Sequence, residues 1–160
     1  MTISYNWLSE YLPWPIEPEK LSKILTSIGL EVESLTFYEN VKGGLAGLVV
    51  GEVLTVTQHP NADKLKITTV NIGAEAPLQI VCGASNARQG IKVAYAKINS
   101  VIPKNQMVIK KAKIAGVESN GMLCSASELL INDEDEGIIE IDDKFPIKTK
   151  IITRRDYEGK

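Results

Sequence analysis

From Leu48 to Ile114 the chain repeats one pattern: a short run of alternating or β-branched residues, then a break marked by glycine, proline or a polar turn. Leu48 to Thr57 is rich in Val and Thr, and Leu65 to Ile72 alternates with one slip of phase. Leu78 to Cys82 is short and apolar, Ile91 to Ile98 alternates again, and Met107 to Ile114 completes five candidate strands. Alternation places successive side chains on opposite faces, as a half-buried strand requires. The slip, from Leu65 and Ile67 to Val70 and Ile72, is what a β-bulge in this strand would produce. Gly51, Gly83 and Gly90 punctuate the run. Strands roughly a dozen residues apart favour a small all-β sandwich or barrel over a parallel α/β sheet.

The stretch from Ile102 to Ile131 adds chemistry to this scaffold. Lys110, Lys111 and Lys113 sit on the last candidate strand, a Gly/Ser/Asn hinge follows, and Ser125-Ala-Ser-Glu128 has the form of a capping box opening a short helix. Five short strands and one short helix are the inventory of an oligonucleotide-binding (OB) barrel, so the expected fold is mainly β. Ahead of it, Ser4 to Leu12 predicts a short amphipathic helix with Trp7, Leu8, Tyr11 and Leu12 buried, ended by Pro13 and Pro15. Glu17-Pro18-Glu19 opens a second helix, with Leu21, Ile24, Leu25 and Ile28 at helical spacing and Gly29 as its stop. Glu31 to Tyr38 alternates as a strand, and Lys42-Gly43-Gly44 marks a boundary. The expected organisation is a small α/β segment over 1–38, a barrel over 39–150, and the start of a following segment over 151–160.

A chain of 160 residues with 44% hydrophobic content can bury a real core. Its apolar runs all fall short of the roughly 20 residues needed to span a bilayer, and its start lacks the form of a signal peptide, so a cytoplasmic protein without membrane contact is expected. The net charge of −2 conceals segregation. From Ala76 to Val117 the charged residues are Arg88, Lys92, Lys97, Lys104, Lys110, Lys111 and Lys113, all basic; from Glu118 to Asp143 every charged residue is acidic. A polyanion feels the field within about 8–10 Å at ordinary salt, so the local sum matters more than the total.

Other candidate sites each have a structural reading beside the chemical one. His59 lies in the turn His59-Pro-Asn-Ala-Asp-Lys-Leu65, without a carboxylate or cysteine pattern that would make it a ligand or base. Cys82 and Cys124 form no C-x-x-C pair and read as buried free thiols; a small hydrolase using either with His59 is the weakest functional reading. The acidic run Asp133-Glu134-Asp135-Glu136 lacks the spacing of a calcium loop. At Ser125, a helix start beside three lysines makes a phosphate docking point.

Four blocks in order, His59 to Leu65, Gln79-Ile-Val-Cys-Gly-Ala-Ser-Asn86, Ile109-Lys-Lys-Ala-Lys113 and Glu118-Ser-Asn-Gly-Met-Leu-Cys-Ser125 with Glu128-Leu129, resemble the tRNA-binding OB domain of several synthetases and free-standing tRNA-binding proteins. Ile3-Ser-Tyr-Asn-Trp-Leu8 and Ile28-Gly-Leu-Glu-Val-Glu33 are similar to the N-terminal region of bacterial phenylalanyl-tRNA synthetase β subunits. The resemblance implies a noncatalytic module supporting aminoacylation by reading tRNA through shape and phosphate contacts, with Lys64, Asn86, Arg88, Lys104, Lys110, Lys111, Lys113, Ser119 and Ser125 as the tRNA-binding set. It further implies no cofactor in this part, ATP and magnesium used elsewhere in the parent, and the remaining β-subunit domains and the α subunit as partners. On this resemblance the chain is an N-terminal fragment or a truncated paralogue. The alternatives are an assembly module whose RNA contact is incidental, and a free-standing tRNA-binding protein. Two positions depart from the pattern: Ala115 stands where many relatives carry arginine, and Leu130 where glycine is usual.

Overall fold

The computed structural model describes residues 1–41, 45–152 and 155–159. The chain forms two compact units, Met1–Gly44 with Thr153–Lys160, and Leu45–Ile152. The boundary expected at Lys42 to Gly44 lies outside the described residues. In chain order the elements are β1 (Ile3–Ser4), α1 (Tyr5–Ser9), α2 (Pro18–Ser27), β2 (Leu35–Glu39), β3 (Leu48–Gln58), β4 (Lys66–Asn71) and β5 (Leu78–Cys82). There follow β6 (Lys92–Ala96), β7 (Val101–Ile102), β8 (Met107–Val108), β9 (Ala112–Ile114), β10 (Val117–Ser119), β11 (Met122–Leu123), β12 (Glu140–Ile141) and β13 (Arg155–Gly159). Among the described residues no helix is long and apolar enough to cross a membrane.

In the first unit Ser4 caps α1, its hydroxyl accepting from the Trp7 amide at 3.1 Å. Proline opens α2, and Gly29 at φ +94° ends it, letting the amides of Gly29 and Leu30 reach the Thr26 and Leu25 carbonyls. The burial expected along these helices is corrected: Trp7, Tyr11, Ile24 and Ile28 are exposed, and Leu21 is the buried residue of α2. A five-residue helix is little more than one turn and cannot lay four large side chains on one face. β2 begins at Leu35, later than the alternation from Glu31 suggests. Residues 155–159, expected in a segment of their own, pair antiparallel with both β1 and β2 and complete a three-stranded sheet.

The second unit is the mainly β barrel expected. Its antiparallel order is β11-β6-β3-β4-β5, with β12 also on β6. The open edges nearly meet: the Asn120 amide, just before β11, donates to Gln79 of β5 at 2.9 Å. Val53, Val70, Ile80 and Val93 are fully buried at its centre.

Three expectations inside the barrel are corrected. The bulge lies on β3 between Val53 and Thr55, not on β4. The apparent slip in β4 arises because Thr68 takes an inward position, fully buried, and donates its hydroxyl to the Ile80 carbonyl at 2.8 Å. Met107 to Ile114 is not one barrel strand, since β8 pairs with β7 and β9 with β10. The expected helix after Ser125 is a turn. Its capping box forms, with the Ser125 amide donating to the Glu128 carboxylate at 2.7 Å and the Glu128 amide to the Ser125 hydroxyl at 3.2 Å. Leu130, at φ +56°, then closes the segment through bonds from Leu130 to Ser127 and Ile131 to Ala126, a stop motif reached before a helix can propagate.

The turn at His59 positions the site. His59 is 2% exposed; its Nδ1 accepts from the Asn61 amide at 3.0 Å, so Nε2 carries the hydrogen and donates to the Ile114 carbonyl at 3.1 Å. The Asn61 side-chain amide donates to the Ala115 carbonyl at 3.1 Å. Two side chains from one loop thereby hold the tip of the β9–β10 hairpin.

Both departures from the family pattern fall at left-handed positions, Ala115 at φ +49° and Leu130 at φ +56°. Ala115→Asn, matching the Asn-Gly preference of a two-residue hairpin turn, and Leu130→Gly should each raise unfolding free energy by roughly 0.5–1 kcal/mol, read as a shift of the urea midpoint. His59→Ala should cost roughly 2–3 kcal/mol through the lost buried bonds. It should also speed amide exchange across β9–β10 while Val53, Val70 and Val93 stay protected; unchanged exchange in the hairpin would show that His59 does not hold it.

Candidate nucleic-acid interface

The cationic strand lies on the approach to and first arm of the clamped hairpin. Lys110, Lys111 and Lys113 are all exposed. The two-residue turn Ala115-Gly116 places Lys113 opposite Glu118, and Lys111 reaches the same carboxylate at 2.7 Å. Glu118 is held below the usual carboxylate range, chiefly by the hydrogen bond from Lys111, with the charge of Lys113 assisting. Both partners of this pair are about half exposed, so it adds little to stability. Lys64 is exposed on the loop that carries the His59 and Asn61 clamps, and so belongs to the same corner.

Beside the hairpin runs an open groove of about 820 Å³, bordered by Leu65, Lys104, Ile114, Met122, Ser125 and Glu128. Lys104 bonds the Ser127 hydroxyl through its ammonium and the Glu128 carbonyl through its amide. Ser125 is buried within the capping box. Asp135 and Glu136 also border the groove, so its lining carries both signs.

The remaining expected residues bond within the protein. Asn86 donates to the Ile138 carbonyl at 2.8 Å and accepts from the Ile138 amide at 2.9 Å, stapling two loops. Arg88 forks onto Glu140 at 2.6 and 2.7 Å, and that guanidinium holds the Glu140 carboxyl below its usual range. Ser119 is 2% exposed; its hydroxyl accepts from the Val81 amide and donates to the Gly121 carbonyl, both at 3.1 Å. The structure thus brings Lys64, Lys110, Lys111 and Lys113 to one corner and Lys104 with Ser125 to the groove, while Asn86, Arg88 and Ser119 secure the barrel.

Cys82 and Cys124 are free and buried, and burial pushes the Cys124 thiol up to about 12 and raises that of Cys82. With His59 sealed by two backbone bonds, these groups lack the exposed thiolate and free base that hydrolysis by cysteine needs. The carboxylates of Glu118 and Glu140 were not anticipated as partners of the cations. Glu118 had a legible signal, because a two-residue turn at Ala115-Gly116 sets positions 113 and 118 face to face; Glu140 had none, being 52 residues from Arg88.

The family model described as "Putative tRNA binding domain" matches residues 48–150. The chain is 48% identical over 149 residues to a phenylalanine–tRNA ligase beta subunit of Porphyromonas gingivalis, covering 92% of this chain and 18% of that protein. It is 50% identical over 157 residues to the corresponding subunit of Pectobacterium atrosepticum, covering 98% of this chain and 19% of that one. The chain therefore spans less than a fifth of the length of these relatives. A solved MetRS-related protein from Pyrococcus horikoshii aligns with a TM-score of 0.46 at 23% identity, over 65% of this chain and 87% of the other. With a near-closed antiparallel barrel bearing a clamped cationic hairpin, and with the family match running from the first barrel strand to Lys150, the chain belongs to the tRNA-binding domain family and matches the N-terminal region of phenylalanine–tRNA ligase beta subunits.

Proposed function

We propose that this chain is a noncatalytic tRNA-binding module of a phenylalanine–tRNA ligase beta subunit, working in the cytoplasm beside the rest of that subunit and its alpha partner. It grips folded tRNA through phosphates and 2′-hydroxyls. The observation that supports this most is the exposed lysine set Lys110, Lys111 and Lys113 on a hairpin whose tip is fixed by His59 and Asn61 to the loop bearing Lys64. A preordered cluster of ammonium groups suits the irregular backbone of a folded RNA. Base readout of single strands ordinarily uses exposed aromatic platforms. In the barrel Tyr95 is buried instead, 2% exposed with its hydroxyl on the Asn120 carbonyl.

The pairing of Arg88 with Glu140 and of Lys111 with Glu118 supports a second reading, an assembly module with weak RNA contact. Binding to the remainder of the ligase, with no tRNA affinity at about 50 mM salt, would favour it over the first.

Titrating tRNA binding between about 50 and 200 mM salt should give a slope of log K against log salt of roughly −2 to −4, the value for three to five phosphate contacts. Lys110, Lys111 and Lys113 changed together to Ala should flatten that slope by about 2 units; an unaltered slope would remove these lysines from the interface. Glu118→Gln should act in the opposite sense, strengthening tRNA binding about two- to fivefold by releasing Lys111 and uncovering Lys113.

A further inference from the structure

Both tryptophans of the chain lie within eight residues of each other, and neither is in a core. Trp7 is 55%, Trp14 65% and the intervening Tyr11 71% exposed. A chain folding for itself alone would bury side chains of this size, and a cluster of them left in water marks an interaction surface.

The surface is also held in place before any partner arrives. The Tyr5 hydroxyl donates to the Ile16 carbonyl at 2.6 Å, closing the segment at its two ends. Trp7 and Tyr11 meet edge to face with ring centroids 5.6 Å apart. The amides of Glu10, Tyr11 and Leu12 bond the carbonyls of Trp7, Leu8 and Ser9. Rigid aromatic side chains lose little freedom on binding, the reason Trp and Tyr dominate interface hot spots.

Charge selects the class of partner. From Met1 to Glu19 the ionisable side chains with charge at neutral pH are Glu10, Glu17 and Glu19; the first basic one is Lys20. All three glutamates are exposed, and none makes an ion pair among the described residues. Acidic side chains accompanying the rings along this segment oppose a nucleic acid and favour a cation. Among protein cations the guanidinium fits best, because its plane stacks on an aromatic face while its fork pairs with a carboxylate.

We propose that the Trp7, Tyr11 and Trp14 surface docks an arginine-bearing segment of a protein partner, with guanidinium groups stacked on the rings and paired with the flanking glutamates. This surface lies in the first unit and does not depend on the lysine hairpin of the second, so either assignment can fail alone.

Because these are the chain's two tryptophans, their emission reports directly on the surface. At about 150 mM salt, octa-arginine should shift or quench that emission saturably, octa-lysine should bind about tenfold more weakly, and tRNA should leave it unchanged. Glu10→Lys with Glu17→Lys, which keeps both reporters and alters exposed positions, should weaken octa-arginine about tenfold or more. Trp14→Ala, followed by calorimetry, should weaken it about three- to tenfold, with unchanged circular dichroism showing that the fold is kept. No response to octa-arginine, an equal response in the charge-reversed variant, or a response to tRNA in its place would overturn the proposal.

Discussion

β3 is shared by two neighbours along its length, and that double pairing is the constraint from which the barrel follows. Its first half pairs with β6 from Leu48↔Ala96 to Glu52↔Lys92, and its second with β4 from Glu52↔Asn71 to Gln58↔Lys66. A straight strand of eleven residues would leave a flat sheet; the irregularity between Val53 and Thr55 bends it where the partners change. Fully buried Val53 sits at that bend, in one core cluster with Val70 of β4, Ile80 of β5 and Val93 of β6. Bending there carries β5 and β11 toward each other, until Asn120 reaches Gln79.

The lysine-bearing hairpin is hung on that frame by neutral polar groups. His59 follows β3 directly, and its imidazole reaches across to Ile114 although 55 residues separate them. Fixing the hairpin through two backbone carbonyls leaves the three lysine ammoniums outside the clamp, with Lys111 on Glu118. Exposed carboxylates then moderate the charge. Glu118 faces Lys111 and Lys113, and Glu140 occupies Arg88, so the basic tract from Ala76 to Val117 presents a smaller field than its seven charges suggest.

The two departures from the family pattern acquire a shared meaning in three dimensions. Ala115 and Leu130 both occupy left-handed backbone, one at a hairpin tip and one at the end of a single capped turn. The first looked like a missing cation and the second like a lost glycine; both are places where a side chain is carried at a conformational cost of about 1 kcal/mol. The surrounding hydrogen bonds, Asn61 to Ala115 and Ile131 to Ala126, hold the chain in these conformations.

Alternation and β-branched runs from Leu48 onward were enough to declare a mainly β sandwich or barrel, because strand-forming residues are legible along the chain. β5 from Leu78 to Cys82 was legible as a short apolar run, and the stop at Gly29 as the left-handed position glycine takes most readily. Where a polar residue turned inward the signal failed: Thr68 shares its hydroxyl with Ile80 across the sheet, and one strand looked bulged while its neighbour carried the bulge. Lys110, Lys111 and Lys113 were named from composition and spacing and Lys64 from the family resemblance, yet what joins them is the contact between His59 and Ile114, which no window of sequence contains. The sequence by itself determined strand content, the segregation of charge and the positions of the turns, since these depend on neighbours along the chain. Only the tertiary structure decided which cations are free, which are paired, and that Trp7 and Trp14 remain in solvent, since burial and pairing depend on residues that meet only after the chain has folded.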